Sequence, residues 1–136
     1  MTSIAQVFAL VSAFLASASS FGAGKFSGQW STNGVTDDGL QYEAHIDLAQ
    51  TGRQVTGRWD EGTERTVWEG RLSGTAEGNK VRMGFCSDGA WGNEPFVCPR
   101  FAPASDIFVV QGNTLIWYRK TRTGVVLYNK LDRVTK

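Results

Sequence analysis

The chain of 136 residues carries 14 Lys and Arg against 13 Asp and Glu, a net charge of +1, with 16 Gly, five Trp, two Cys and a single His. That length is one domain's worth of chain, and the near balance of charge excludes both an acidic solvating tail and a general nucleic-acid binder. An apolar content of 41% with 12% aromatic residues excludes a disordered chain and points to a folded globular domain.

Residues 1–18 hold no charged side chain. Ile4 to Leu15 is an apolar run interrupted only by Gln6 and Ser12, and Ala16-Ser17-Ala18 follows as an A-x-A cleavage site. The run is shorter than the roughly 20 residues a membrane-spanning helix needs. It therefore reads as a signal peptide cleaved after Ala18, although Met1-Thr2-Ser3 lacks the usual basic residue. Residues 19–136 then form a single exported domain, periplasmic or extracellular, with no membrane span. In an exported chain the even pair Cys86 and Cys98 reads as a disulfide. Two Cys and one His fall short of the four ligands of a structural zinc, so neither a metal nor another cofactor is expected.

Period-2 alternation with short Gly-containing breaks runs through the rest of the chain, and no stretch sustains a helical period. The first predicted strand, about 26–33, sets Phe26, Gly28, Trp30 and Thr32 on one face. The second, about 40–50, alternates Tyr42, Ala44, Ile46 and Leu48 with Gln41, Glu43, His45 and Asp47. In the third, about 53–60, Val55, Gly57 and Trp59 face inward. The fourth, about 66–75, carries Trp68, Gly70, Leu72 and Gly74 on one side, and the fifth, about 80–86, carries Val81, Met83 and Phe85. Strands at about 106–111, 114–120 and 125–134 complete a set of eight. Thr51-Gly52, Gly78-Asn79 and Gly112-Asn113 suit tight hairpins, because Gly and Asn tolerate positive φ.

Eight short strands in sequential hairpins predict an all-β fold, a closed antiparallel up-and-down barrel, with a two-sheet sandwich as the alternative. Interior Gly beside Trp is how a small barrel accommodates bulk. One connection is long: residues 88–105 hold all three Pro and Cys98. Loops beyond about 12–15 residues are usually functional, and Trp91, Phe96 and Phe101 are costly to leave bare. This segment is expected either to lie over a barrel mouth, to meet a partner, or to plug the barrel end.

Gly28-Gln29-Trp30 in the first strand, eight sequential strands and Arg133 late in the last one resemble the calycin superfamily, which contains lipocalins and avidins. The resemblance implies a structural trio in which the Arg133 guanidinium packs over the Trp30 indole at the closed end, beside Gly28. Ser27-Gly28-Gln29-Trp30 also resembles, more weakly, the first-strand motif of the bacterial periplasmic inhibitors of secreted metalloproteases. Those inhibitors act through an N-terminal trunk and carry their first Cys early. Here the segment before Phe26 is short and the cysteines lie late, which leaves the 88–105 loop as the inhibitory element.

Glu43, His45 and Asp47 alternate on one polar strand face, a spacing that could serve metal or proton-transfer chemistry but reads first as a solvated strand face. With His45 alone, no catalytic constellation is complete and an enzyme is not expected. Arg119, Lys120, Arg122, Lys130, Arg133 and Lys136 make the last two strands basic, a candidate patch for an anionic polymer; export argues against nucleic acid. The leading expectation is an exported monomeric binding protein that holds a small apolar or amphipathic ligand at the barrel mouth. Trp91, Phe96 and Phe101 would rim that mouth, with Trp59, Trp68, Tyr42 and Met83 lining the interior. The alternative is a protein-interaction or inhibitor module directed at a protease or other hydrolase, with Trp91, Phe96, Arg100 and Phe101 as its anchors.

Overall fold

The computed structural model describes residues 24–89 and 95–135. Eight strands follow in chain order: β1 Gly28–Val35, β2 Gln41–Thr51, β3 Gln54–Thr63, β4 Val67–Glu77, β5 Lys80–Ser87, β6 Asp106–Gln111, β7 Thr114–Thr121 and β8 Gly124–Arg133. Each pairs antiparallel with its neighbours in sequence, and β1 pairs with β8 to close the ring. The fold is thus the expected all-β up-and-down barrel, stapled by a Cys86–Cys98 disulfide, and not the two-sheet alternative.

The two ends of the barrel differ because their turns differ. At one end β2–β3, β4–β5 and β6–β7 are joined by two-residue turns with Gly52, Gly78 and Gly112 at φ of 60°, 63° and 61°. Each next residue has negative φ, the pattern of a type II′ turn whose twist matches the strands. The chain before β1 crosses this end: Phe26 is fully buried, and its carbonyl accepts the Trp30 Nε1–H at 3.0 Å. Arg133 completes the closure with its guanidinium 4.1 Å from the Trp30 ring centre, donating to the Ser27 and Lys25 carbonyls at 2.7 and 3.0 Å. A Cβ at Gly28 would stand 2.9 Å from Arg133 Nη1, and Gly28 has φ of 131°. Only glycine fits both constraints without strain.

From this closed end upward the interior is filled. Trp30, Trp117, Phe108, Ile46, Leu72, Met83, Leu115 and Leu131 are each less than 2% exposed. Every such side chain contributes about 1.5–3 kcal/mol by leaving water. The opposite, open end is bounded by the 36–40, 64–66 and 88–105 connections and by the β7–β8 turn.

Pairing also loosens toward the open end at two seams. Between β5 and β6 it stops at Met83↔Asp106. Beyond that point the 95–105 segment takes the place of a strand: Ala102 N–H donates to the Phe85 carbonyl and Ser87 N–H to the Phe96 carbonyl, both at 2.8 Å. Between β8 and β1, described residues pair only at Trp30↔Arg133 and Ser31↔Asp132.

Candidate functional site

Above Trp117 the interior changes from apolar to mixed. Tyr42 of β2, Trp59 and Glu61 of β3, and Tyr128 of β8 share the inward face near the open end. The Glu61 carboxyl, only 5% exposed, accepts the Tyr128 and Tyr42 hydroxyls at 2.7 and 2.8 Å and the Trp59 Nε1–H at 3.3 Å. Asn129 Nδ2 donates to the Tyr42 hydroxyl at 2.9 Å. Two successive residues of β8 reach this one network because the β7–β8 register shifts at Trp117/Tyr118, a bulge that aims both Tyr128 and Asn129 across the mouth.

Local packing fixes the aromatic walls. Trp59 lies opposite Gly70, whose missing side chain leaves room for the indole against β4. Phe85 meets Trp59 edge-on at 5.2 Å and stacks on Trp117 at 5.5 Å, while Trp117 touches Tyr128 at 4.5 Å. Trp117 Nε1–H donates to buried Asp106 at 2.7 Å, and Arg119 sits 3.8 Å over the Tyr128 ring and 3.5 Å from the same carboxyl. Burial first, and then the hydrogen bond to Glu61, push the Tyr128 phenol up to about 12. The same causes in the same order raise the Tyr42 phenol well above its usual range.

Beside this network a cavity of about 130 Å³ opens between Trp59, Trp68, Phe85, Cys86, Ser87, Phe96 and Ala102. The rim around it exposes Val35, Val67, Trp68, Val97, Phe101 and the run Val125–Tyr128. A shallow groove past Glu61 carries Glu43, Asp60 and Glu64. The open end thus gathers carboxylates on the β2–β4 side, with Arg65 in the same turn, and cations at Lys120 and Arg122.

The expected site residues divide accordingly. Tyr42, Trp59, Trp68 and Phe96 come together at the open end. Trp68, expected as an interior wall, keeps the inward parity of Gly70 and Leu72 but stands at the rim, 47% exposed, because β4 begins there. Met83 is fully buried in the packed core and does not line the cavity. Arg100 is exposed and sits 5.5 Å over the Phe96 ring; Phe101 is exposed beyond it. Trp91 lies outside the described residues. Glu43, His45 and Asp47 lie exposed on the outer face of β2. The six cations do not form one patch: Arg119 lines the mouth, Lys120 and Arg122 mark the β7–β8 tip, Lys130 is exposed farther down β8 opposite Ile116, Arg133 caps the far end, and Lys136 is outside the described residues.

Glu61, Tyr128, Asn129 and Asp106 were not read as site residues from sequence, and Arg119 was read only as part of a basic patch, not as a neighbour of Tyr128 and Asp106 at the mouth. Glu61 carried a signal, since it continues the inward parity of Val55, Gly57 and Trp59 by one step. Asn129 and Tyr128 carried none, because a bulge suspends the alternation. The chain matches no protein-family model, no curated protein and no solved structure.

Proposed function

We propose that this protein is an exported, soluble binding protein, periplasmic or extracellular, which holds a small apolar or amphipathic molecule at the barrel mouth beside the 88–105 loop. The observation that carries this reading is the change of lining at the open end. A packed apolar interior gives way to aromatic walls around one oriented, hydrogen-bonded carboxyl, with an exposed apolar rim above. Aromatic walls with a few converging polar groups are the usual make-up of small-molecule sites. The cavity of about 130 Å³ is smaller than the roughly 300 Å³ that encloses a whole drug-sized molecule. It suits one apolar end of a ligand whose remainder lies over the rim.

Native mass spectrometry of the protein taken from its exported fraction tests this. An adduct of a few hundred daltons on a chain beginning near Ser19, lost in Trp59→Ala, is the expected result. A bare chain overturns it.

The second reading is a protein-contact or inhibitor module acting through the same loop. Its support is that the disulfide and the bonds to β5 hold 95–102 in place while Val97 is 42% and Phe101 37% exposed. Rigid display of apolar and Arg side chains is what interfaces use as anchors. A bare chain in the spectrometer, with a protein captured by wild type and lost in Phe101→Ala, selects this reading.

A further inference from the structure

Two carboxyls are buried at the open end, and only one of them has a countercharge among the described residues. Asp106 has Arg119, whose guanidinium lies 3.5 Å away and stacks on the Tyr128 ring. Glu61 accepts from neutral groups alone, the Tyr42 and Tyr128 hydroxyls and the Trp59 indole, and no Lys, Arg or His among the described residues pairs with it. A buried carboxylate without a countercharge is costly. Nor is its acceptor capacity used up. A carboxylate accepts at about four lone-pair positions, and here the two hydroxyls take Oε2 while Oε1 receives only the indole, at 3.3 Å. Both phenol protons already point at Glu61, so the network offers an incoming molecule an acceptor, and the unbalanced charge favours a cationic donor.

The surroundings fit an organic cation. Trp68 of β4 lies opposite Glu61 in register, and Trp59 precedes Glu61 by two residues on the same inward face, so two indoles flank the carboxyl. Aromatic faces attract ammonium groups through their quadrupoles, and more strongly where water is excluded. Trp59 also joins the carboxyl to the cavity: its ring lines the cavity and its Nε1–H reaches Glu61, so the two are one side chain apart. The cavity sets the size of what enters. Its 130 Å³ between Trp59, Trp68, Phe85 and Phe96 suits a group close to benzene, which an apolar cavity of about 150 Å³ holds. Taking the open end as a small-molecule site, we infer that its ligand is an arylalkyl ammonium ion. The aromatic end enters the cavity, and the ammonium donates to Glu61 Oε1 between the Trp59 and Trp68 indoles. An anion fits less well, because Arg119 is engaged by Asp106 and a further negative charge would face Glu61.

Isothermal titration calorimetry of the disulfide-bonded protein with 2-phenylethylammonium, 2-phenylethanol and 3-phenylpropionate, alike in shape and different in charge, tests this. The expected result is saturable binding of the ammonium ion, about tenfold tighter than the alcohol, with no binding of the acid. In Glu61→Gln, whose amide oxygen still accepts from the hydroxyls, the preference for ammonium over alcohol should vanish. Glu43→Gln, on the outer face of β2, should keep it. Near-ultraviolet circular dichroism establishes that both variants keep the barrel, and if Glu61→Gln loses it, the comparison of the three probes on wild type still decides. Alcohol or acid binding as tightly as the ammonium ion overturns the proposal and leaves the binding reading standing. A preference that survives Glu61→Gln, or is lost in Glu43→Gln, does the same. Absence of binding by all three probes also overturns the proposal, and the mass spectrum of the exported protein then separates the two failures: an adduct there keeps the binding reading, and a bare chain removes both.

Discussion

Glu61 ties three strands together through three side-chain donors, and the consequence of removing it follows from what the donors would lose. In Glu61→Ala the Tyr42 and Tyr128 hydroxyls and the Trp59 indole keep their half-buried positions without an acceptor. The expected loss is about 2–3 kcal/mol by urea unfolding, with Glu61→Gln losing less because its amide oxygen still accepts. The same network sets an alkaline limit. An unfolded phenol titrates near 10, whereas Tyr128 is held up to about 12 and Tyr42 is raised for the same reasons. Below pH ~10 both states carry the protons and this stabilisation is fully present. As pH climbs from there toward 12 the unfolded chain releases protons that the folded one retains, so unfolding becomes easier. Unfolding free energy measured over a pH series should fall in that window, and the slope should flatten in the Tyr42→Phe, Tyr128→Phe double variant. An unchanged slope would place the phenols in solvent.

At the scale of the strand, the fit of one element against the next rests on where bulk is absent. Trp59 of β3 occupies the space over Gly70 of β4, and a Cβ there would run into both the indole and the Cys86 carbonyl. Gly70→Ala must therefore move backbone or displace the indole, which costs about 1–3 kcal/mol in a packed interior. The summed emission of the five Trp should shift to the red in Gly70→Ala, and not when the same change is made in a Trp59→Phe background, while β-sheet circular dichroism persists; an unshifted spectrum would mean that β4 yields instead. This pairing was legible in the sequence, because Trp59 and Gly70 fall on inward parities of adjacent predicted strands. The order of the strands, the turn glycines and the disulfide were legible for the same kind of reason: each is set by residues near in sequence. What escaped is non-local. Asp106 was read only as the start of a strand, and nothing nearby announces that its carboxyl accepts from an indole eleven residues on, or that Arg119 stacks on Tyr128. The 88–105 segment was read as a lid, contact or plug, whereas its described part also serves as barrel wall along β5. Its hydrogen bonds there are backbone ones, which side-chain pattern does not encode.

Over the whole molecule these features add up to a gradient along the barrel axis, and the gradient has a measurable consequence. Toward the closed end the strands are joined by two-residue turns, the core is filled, and Arg133 bonds the last strand to the chain before the first. Toward the open end β8 and β1 part, and Asn33–Val35 and Gly124–Tyr128 are exposed. Local opening costs least where few buried apolar contacts and few ladder bonds must be broken. Amide hydrogen exchange should therefore separate two classes. Amides of Ala44, Ile46, Leu115 and Trp117 should exchange only through global unfolding, their protection tracking the stability measured in urea. Seam-facing amides in Asn33–Val35 and Val125–Leu127 should exchange at least a hundredfold faster, through opening of the β8–β1 seam alone. Such a pattern would mean that the mouth can widen to admit a ligand without loss of the core, because among the described residues the side-chain bridges of Tyr42, Asn129, Tyr128 and Glu61 are what must part. Protection equal at both ends would mean the reverse, that the barrel opens only as a unit and its mouth is a fixed part of the wall.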